Sequence, residues 1–325
     1  MHPEAKIFPE MFLANRELPL QARFYPLGFP LDLETNSEDV LQAAREGWRG
    51  FHLRFAEAPV KLSVSVSDTD TMPAALEPRV VWRDHIMTSV WDPTTFAACD
   101  LRSGLMAGWL TRKAAVDHSF VRYRFLHAYA MSILVHKYLA PVHGAFVARS
   151  GQGVLLCGDS FAGKSTLAYA CARAGWTFLS DDATYLIRSR LDRIAVTNPF
   201  FIHLREDAPV FFPELKDHAI AVRPNGKIGI EIPTSGLGIA TAGTCPVIHV
   251  VFLNRDTSTS AHLASFSKAA AMEWCERYLL YGEQQVIGEQ RAALQRLLGA
   301  GIWELRYSAL DDAIARLEKL TDQGV

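Results

Sequence analysis

A glycine-rich segment at residues 158–165, GDSFAGKS, carries the strongest chemical pattern in the chain. It matches the pattern G-x-x-x-x-G-K-[ST] at every defined position. In such a segment the glycines let successive backbone N–H groups turn inward around a phosphate, and the following helix adds the positive end of its dipole. The pattern predicts that Lys164 reaches the β- and γ-phosphates of a nucleotide and that the Ser165 hydroxyl binds Mg²⁺.

The residues on either side of this segment support the same interpretation. An apolar stretch at residues 154–157 predicts a strand before the loop, and a helix is expected over residues 164–174, closed by Gly175. A turn without a ligand has no need of the Lys-Ser pair, so a phosphate-binding loop is favoured. The predicted nucleotide-binding residues are Gly158, Asp159, Ser160, Phe161, Ala162, Gly163, Lys164, Ser165 and Thr166.

Two adjacent aspartates, Asp181 and Asp182, end a predicted strand at residues 176–180. In α/β sheets, ligands collect at the carboxyl ends of the strands, which places these carboxylates beside the loop. One carboxylate can hold Mg²⁺, and the other can accept the proton of an attacking hydroxyl. Adjacent aspartates alone are typical of a solvated turn. The phosphate loop just upstream favours the functional interpretation.

The segment from about residue 140 to 185 resembles the core of HPr kinase/phosphorylase and, more broadly, the HprK-like P-loop kinases. Members of this family have a His-Gly pair before a strand hairpin, then GDS-x-x-GKS, a helix, a glycine and a strand that ends in Asp-Asp. The matching residues here are His143-Gly144, residues 158–165, Gly175 and Asp181-Asp182.

The resemblance implies a kinase domain related in fold to phosphoenolpyruvate carboxykinase, and ATP-dependent transfer of phosphate to a serine hydroxyl. It implies that Asp182 accepts the proton with help from Asp181, and that Lys164 holds the transferring phosphate. It gives the metal to Ser165. With Asp182 as the proton acceptor, Asp181 is the carboxylate of the pair that can hold Mg²⁺ and is the second predicted metal ligand. The resemblance also places His143 at the phosphates, although from its position alone this histidine would be interpreted as structural.

Two departures from the family pattern bear on the site. Phe161 stands where the bifunctional members of the family have glycine. Glu231 precedes a Gly-Leu-Gly run in EIPTSGLGIA, where the family carries an acidic metal ligand, so Glu231 is the third predicted metal ligand. The C-terminal segment with which the family engages HPr is not recognisable in this chain.

The acceptor of the phosphate is therefore left open by the sequence. The first hypothesis is a serine kinase that acts on a protein or peptide. The second is a kinase for a small molecule such as free serine, and the third is a non-catalytic module in which bound ATP sets the conformation. Arg205 and Lys227 follow predicted strands and could face a phosphate, but a solvated loop charge is the favoured interpretation for both.

The fold class expected is α/β, with a strand-rich N-terminal domain at residues 1–115 and the kinase domain at residues 116–325. Alternating apolar and polar residues, or runs of β-branched and aromatic residues, predict the N-terminal strands. These expected strands lie at residues 51–55, 60–67, 79–82 and 87–91. A long helix is expected over residues 117–140, with Pro141 ending it.

Composition excludes several classes of protein. The 325 residues are 49% hydrophobic and 21% charged, and the net charge of −2 argues against a nucleic-acid partner. The apolar runs are too short for a membrane span. The first residues lack the basic stretch followed by an apolar one that is typical of a signal peptide, so none is expected. Five cysteines without a C-x-x-C pair indicate neither disulfides nor zinc. We expect a cytoplasmic protein, and the sequence leaves open whether it forms a homo-oligomer.

Overall fold

The computed structural model describes residues 17–73, 77–222, 228–256, 260–279 and 282–322, and it shows a mixed α/β protein with several sheets. The chain forms two compact units. The first ends at Tyr138 and also includes a short segment around Glu283, and the second begins at Leu139. The sequence places the boundary at 115/116, before the long helix. The units separate after that helix, because Phe125 of the helix packs against Trp91 of the first unit, with ring centroids 5.8 Å apart.

The first unit is built on a seven-stranded sheet in the order β1-β2-β3-β7-β6-β5-β4. Strands β2, β3 and β7 are parallel neighbours, and the other pairs are antiparallel. Its strands are β1 Leu20–Phe24, β2 Leu31–Thr35, β3 Val60–Ser67, β4 Arg79–Arg83, β5 Ile86–Asp92, β6 Thr95–Asp100 and β7 Leu105–Thr111. The strand expected at residues 60–67 is confirmed, and those at 79–82 and 87–91 are confirmed to within one residue at each end.

The strand expected at residues 51–55 is wrong. This segment has no regular secondary structure, and the backbone N–H groups of Arg54 and Phe55 both donate to the Gly28 carbonyl, at 2.9 and 3.1 Å. The Phe55 ring stacks on Phe29 with centroids 4.4 Å apart. Of the apolar residues that suggested alternation, Phe55 packs beside the turn, whereas Leu53 is 54% exposed. The N–H groups of Arg54 and Phe55 are bonded to that turn rather than to a neighbouring strand.

The long helix is confirmed up to Lys137 but not beyond it. The helices of the first unit are α1 Glu38–Trp48, α2 Arg112–Val116, a wider π-helical segment Phe120–His127 and its continuation α3 Ala128–Lys137. Asp117 separates α2 from the long helix, and its Oδ1 accepts from the Phe120 N–H at 3.0 Å. Pro141 does not end the helix. It lies within strand β8 Leu139–His143, the last strand of its sheet, where a missing N–H is tolerated.

The second unit contains a nine-stranded sheet in the order β11-β9-β10-β17-β13-β12-β8, with β19 joined to β17 and β18 to β19, and a three-stranded sheet in the order β14-β16-β15. The pairs β10–β17 and β17–β19 are parallel. Beyond β8, the strands are β9 Ala145–Arg149, β10 Gln152–Cys157, β11 Thr177–Ser180, β12 Ala183–Ile187, β13 Ile194–Thr197, β14 Phe201–Arg205, β15 Ala221–Val222, β16 Ile228–Pro233, β17 Thr244–Arg255, β18 His262–Ser265 and β19 Gly301–Tyr307.

Helices cover both faces of the nine-stranded sheet. They are α4 Lys164–Arg173, α5 Lys268–Glu276, α6 Gln284–Leu297 and α7 Leu310–Asp322. Successive residues of β10 point to opposite faces, so Leu156 packs with residues of α4 and α7 while Leu155 packs with residues of α5 and α6. Burial on both sides explains why β10 is an uninterrupted apolar run before the phosphate loop.

Two further expectations concern the whole chain. Cys99, Cys157, Cys171, Cys245 and Cys275 are all free and buried, so the expected lack of disulfides is confirmed. Among the described residues, no helix combines the length and the apolar character that crossing a membrane requires.

Gly153 gives a test of the packing that holds β10. A methyl group at this position would lie 2.4 Å from the Pro246 carbonyl oxygen and 2.5 Å from the Phe146 ring. We expect Gly153→Ala to lower the free energy of unfolding by about 1–3 kcal/mol, because backbone and core must shift to make room. Denaturant unfolding measures it.

The matched control is Gly288→Ala in α6, where nothing lies within 4 Å of the added carbon. This change should leave stability unaltered or raise it by up to about 1 kcal/mol, since alanine favours the helix over glycine. Equal stability of the two variants would contradict the tight packing described at Gly153.

Candidate active site

Residues 158–163 form the loop between β10 and α4. Gly158 and Gly163 have φ of +147° and +91°, conformations that favour glycine. A methyl group at Gly163 would come 2.6 Å from the Tyr307 hydroxyl, which donates to the Ala162 carbonyl at 3.1 Å. Both glycines are therefore needed for the path of the loop, and Tyr307 holds its last turn against β19.

Lys164 begins α4 and is only 8% exposed. Its ammonium group donates to the carbonyls of Gly158, at 2.8 Å, and Asp159, at 3.2 Å, so the loop curves around this cation. Ser165 and Thr166 follow in the first turn of α4, where backbone N–H groups lack partners inside the helix. Cation, helix end and loop together form a site for an anion.

The two aspartates lie in the short link between β11 and β12. The side chains at the start of β12 stabilise this link. The Thr184 hydroxyl donates to the Gly144 carbonyl at 3.0 Å, which leaves its oxygen to accept from the Ser180 hydroxyl, also at 3.0 Å. These buried bonds tie the link to Gly144, the single residue between β8 and β9.

The phosphate loop and the aspartates lie at the same edge of the sheet. Strands β10 and β11 are both antiparallel to β9, which lies between them, so they run in the same direction. Their carboxyl ends, followed by residues 158–163 and by Asp181, therefore meet at one edge. The Ser165 hydroxyl donates to the Asp181 carbonyl at 3.2 Å and joins the two segments directly.

Asp182 is the more open of the two aspartates, with 62% of its side chain exposed. Its Oδ1 lies 3.3 Å from Nδ1 of His143. The pairing of β8 with β12 places Ala183 opposite His143, which brings the preceding residue, Asp182, beside the imidazole. A solvent-accessible carboxylate with an imidazole to orient it is suited to accept a proton from a hydroxyl group.

Asp181 is buried, with 8% of its side chain exposed, and its carboxylate accepts from the His203 backbone N–H at 2.8 Å. The His203 ring lies between two carboxylates, with Nδ1 3.4 Å from Asp181 and Nε2 3.4 Å from Glu231. Burial on its own lowers the pKa of His203, but the two carboxylates outweigh it and raise the pKa to about 10. The imidazole is therefore a cation at neutral pH.

His203 is the residue of this cluster that the sequence analysis missed. Strand β14, FIHLR, alternates buried and half-exposed positions, and the histidine occupies a half-exposed one. Its partner across the antiparallel pair β14–β16 is Glu231. A polar residue on each of two apolar strands was the available signal, but the register that pairs them is not visible in the sequence.

The donors around Ser165 and Asp181 suit a magnesium ion. Mg²⁺ prefers oxygen ligands and, in nucleotide sites, takes only one or two from the protein. The Ser165 hydroxyl and the Asp181 carboxylate supply such oxygens. Glu231, the third predicted ligand, instead contacts the His203 ring, which lies between it and Asp181. Among the described residues, no group of three or more His, Cys, Asp or Glu side chains is arranged to hold a metal ion.

Phe161 projects from the phosphate loop. It has a φ of +73°, is 75% exposed, and the Arg205 guanidinium lies 4.3 Å from the centre of its ring. Arg205 also lies 3.7 Å from Asp207, so its charge is directed at the loop and its neighbour rather than only at solvent. Lys227, the other candidate cation, lies outside the described residues.

No family model matches the chain, and no curated protein matches it. Among solved structures, the chain is similar to the Hpr(Ser) kinase/phosphatase from Coxiella burnetii, at 16% sequence identity and a TM-score of 0.29. The matched region covers 57% of this chain and 99% of that one. A TM-score this low carries no argument about fold or function.

The charge of His203 predicts a pH dependence of stability. Its pKa rises from about 6.5 in the unfolded chain to about 10 in the fold. The stabilisation is therefore complete below about pH 6.5 and is lost as the pH rises through about 10. We expect the free energy of unfolding to fall across this range, and less steeply in His203→Gln.

Denaturant unfolding at successive pH values measures this effect, and NMR titration gives the pKa of the ring directly. His262→Gln is the control, because His262 is exposed. If His203→Gln and the native protein lose stability in parallel between these pH values, the cation between Asp181 and Glu231 contributes nothing.

Proposed function

We propose that the chain is an ATP- and Mg²⁺-dependent phosphotransferase. One observation carries the proposal: an anion-binding loop around Lys164 and a carboxylate–imidazole pair, Asp182 with His143, lie at the same edge of one sheet. A phosphate held by the loop would then have a proton acceptor beside it. A plain nucleotide-binding module has no need of such a pair.

More specifically, we propose an HprK-like serine kinase. The resemblance of residues 140–185 to that family supports this assignment. The placement of Lys164, Asp182 and His143 at one edge of the sheet is consistent with it. The 62% exposure of Asp182 favours a hydroxyl carried on a protein or peptide, because an open carboxylate can be reached by a bulky acceptor. A small-molecule acceptor such as free serine is the alternative.

In this proposal each residue has one task. The backbone of residues 158–163 and Lys164 bind the phosphates. Asp182 takes the proton from the acceptor hydroxyl. The oxygen of that hydroxyl bonds to the γ-phosphorus, while the bond from this phosphorus to ADP breaks. His143 orients Asp182. Ser165 and Asp181 would hold Mg²⁺, with Glu231 acting on Asp181 through His203, and the ion would neutralise charge on the phosphates.

The proposal is tested by following the γ-phosphate. The purified protein is incubated with γ-labelled ATP, Mg²⁺ and a cell lysate, and macromolecules are separated from small molecules. We expect Asp182→Asn to bind ATP but to slow transfer by about 100- to 10,000-fold, because the proton acceptor is gone. Lys164→Ala should lose transfer by at least about 100-fold, since the cation facing the developing charge is removed.

Asp217→Asn is the matched control, because Asp217 is an exposed aspartate that belongs neither to the loop nor to the aspartate pair. The fraction that carries the label separates a polypeptide acceptor from a metabolite. Equal transfer by the native protein and by Asp182→Asn would overturn the assignment of the base. Tight ATP binding with no transfer to any fraction would favour the non-catalytic, ATP-responsive module.

The metal ligand gives a separate prediction. Ser165→Ala removes a hydroxyl that contacts the Asp181 carbonyl and is proposed to bind Mg²⁺. We expect it to raise the Mg²⁺ concentration needed for half-maximal ATP binding, measured by calorimetry, whereas Ser165→Thr should restore the native value. If Ser165→Ala and the native protein need the same Mg²⁺ concentration, Ser165 is not a ligand.

A further inference from the structure

The end of α5 contacts the candidate site through two aromatic residues. Trp274 lies in the last turn of the helix and Tyr278 lies four residues later, so both face the same side. Trp274 is 4% exposed, and its ring meets Phe252 of β17 edge to face, with centroids 5.3 Å apart and planes at 89°. Its centroid is 4.9 Å from that of Tyr278. The pair is thus anchored in the core of the second unit.

Trp274 contacts the phosphate loop. Its indole N–H donates to the Asp159 carboxylate at 3.1 Å, and the Arg277 guanidinium lies 3.5 Å from the same oxygen. The Asp159 side chain is therefore directed at the end of α5. This contact gives Asp159, which the sequence analysis counted only among the nucleotide-binding residues, a second role as the point where the helix holds the loop.

Tyr278 contacts the proposed base through His143. The Tyr278 and His143 rings are stacked, with centroids 4.7 Å apart and planes inclined by 28°. At its edge, Nδ1 of the imidazole lies 3.3 Å from Asp182. Burial and the Asp159 carboxylate raise the pKa of the Tyr278 phenol, so a neutral ring stacks there. A rigid aromatic surface thus limits the orientations that His143 can adopt beside Asp182.

We propose that Trp274 and Tyr278 act as an aromatic bracket that fixes the position of the proposed base relative to the phosphate loop. Tyr278 is the positioning residue for His143 and Asp182. The inference rests on the proposed function. Strand β9 lies between β10 and β11, so the sheet fixes the two backbones but not the side chains beyond them. The bracket supplies that link, because Trp274 contacts Asp159 and Tyr278, four residues later, contacts His143.

The rate of phosphate transfer depends strongly on the position of the reacting groups. A displacement of about 1 Å in a reacting group can slow a reaction by about 100-fold. A residue that only orients the base should therefore change turnover and leave nucleotide affinity unchanged. A residue that only supports the fold would change stability and binding together.

The test compares Tyr278→Leu with Tyr278→Phe, which keeps the stacked ring but not the hydroxyl. The first readout needs no nucleotide: the NMR shifts of the His143 ring protons, assigned with His143→Gln. Stacking places these protons in the ring current of Tyr278. We expect Tyr278→Leu to move the His143 signals and Tyr278→Phe to keep them close to their native positions, with thermal unfolding confirming that both variants fold.

The second readout is transfer of labelled phosphate beside ATP affinity. Tyr278→Leu should lower kcat by about 10- to 100-fold without changing the Kd for ATP, and Tyr278→Phe should restore most of the turnover. Unmoved His143 signals in Tyr278→Leu would overturn the bracket, as would native turnover in that variant. Tyr278→Phe as slow as Tyr278→Leu would also overturn it, since the hydroxyl and not the ring would then matter.

The two readouts separate this inference from the proposed function. If the native protein transfers phosphate to no acceptor, the proposed function fails. The bracket is then decided by the His143 signals alone, because stacking of Tyr278 on His143 is measured in the nucleotide-free protein. If transfer is native-like in Tyr278→Leu, the proposed function stands and the bracket fails.

Discussion

The candidate site depends on one feature of strand pairing. Strands β8 and β9 are separated only by Gly144, and β11 and β12 only by the two aspartates, yet β8 pairs with β12 and β9 with β11. Both breaks therefore lie at the same point, where the pairing of β8 with β12 gives way to the pairing of β9 with β11. A methyl group at Gly144 would lie 3.0 Å from the Leu156 carbonyl oxygen, so glycine avoids a tight contact at this point. The break leaves Asp181 and Asp182 outside the ladder, at the edge of the sheet where the phosphate loop lies.

Charge then distinguishes the two aspartates. Asp181 is buried and opposed by the His203 cation, which is itself shared with Glu231. Asp182 is open to solvent and contacts His143. The two neighbouring aspartates thus have different surroundings, since the buried one is paired with a cation. The exposed one remains accessible for chemistry on an incoming group.

The sequence predicted the parts of the site that are encoded locally. The loop and the start of α4 are contiguous with the glycine-lysine-serine pattern, and the aspartates end the next predicted strand, so their order in the sequence indicated that they lie together. His203 and Tyr278 were not predictable in this way, because they reach the site through the β14–β16 register and through the turn after α5. The error at residues 51–55 has the same origin, since their backbone is bonded to Gly28, which is distant in sequence.

Cys157 ends β10, directly before Gly158, and is completely buried. Burial raises the pKa of its thiol well above the ordinary value, so the reactive thiolate is scarce while the strand is in place. Its side chain becomes available to an alkylating reagent only when the sheet opens at this point. The thiol directly before the phosphate loop is therefore a chemical probe of local unfolding, and a ligand that binds only the folded loop will slow its modification.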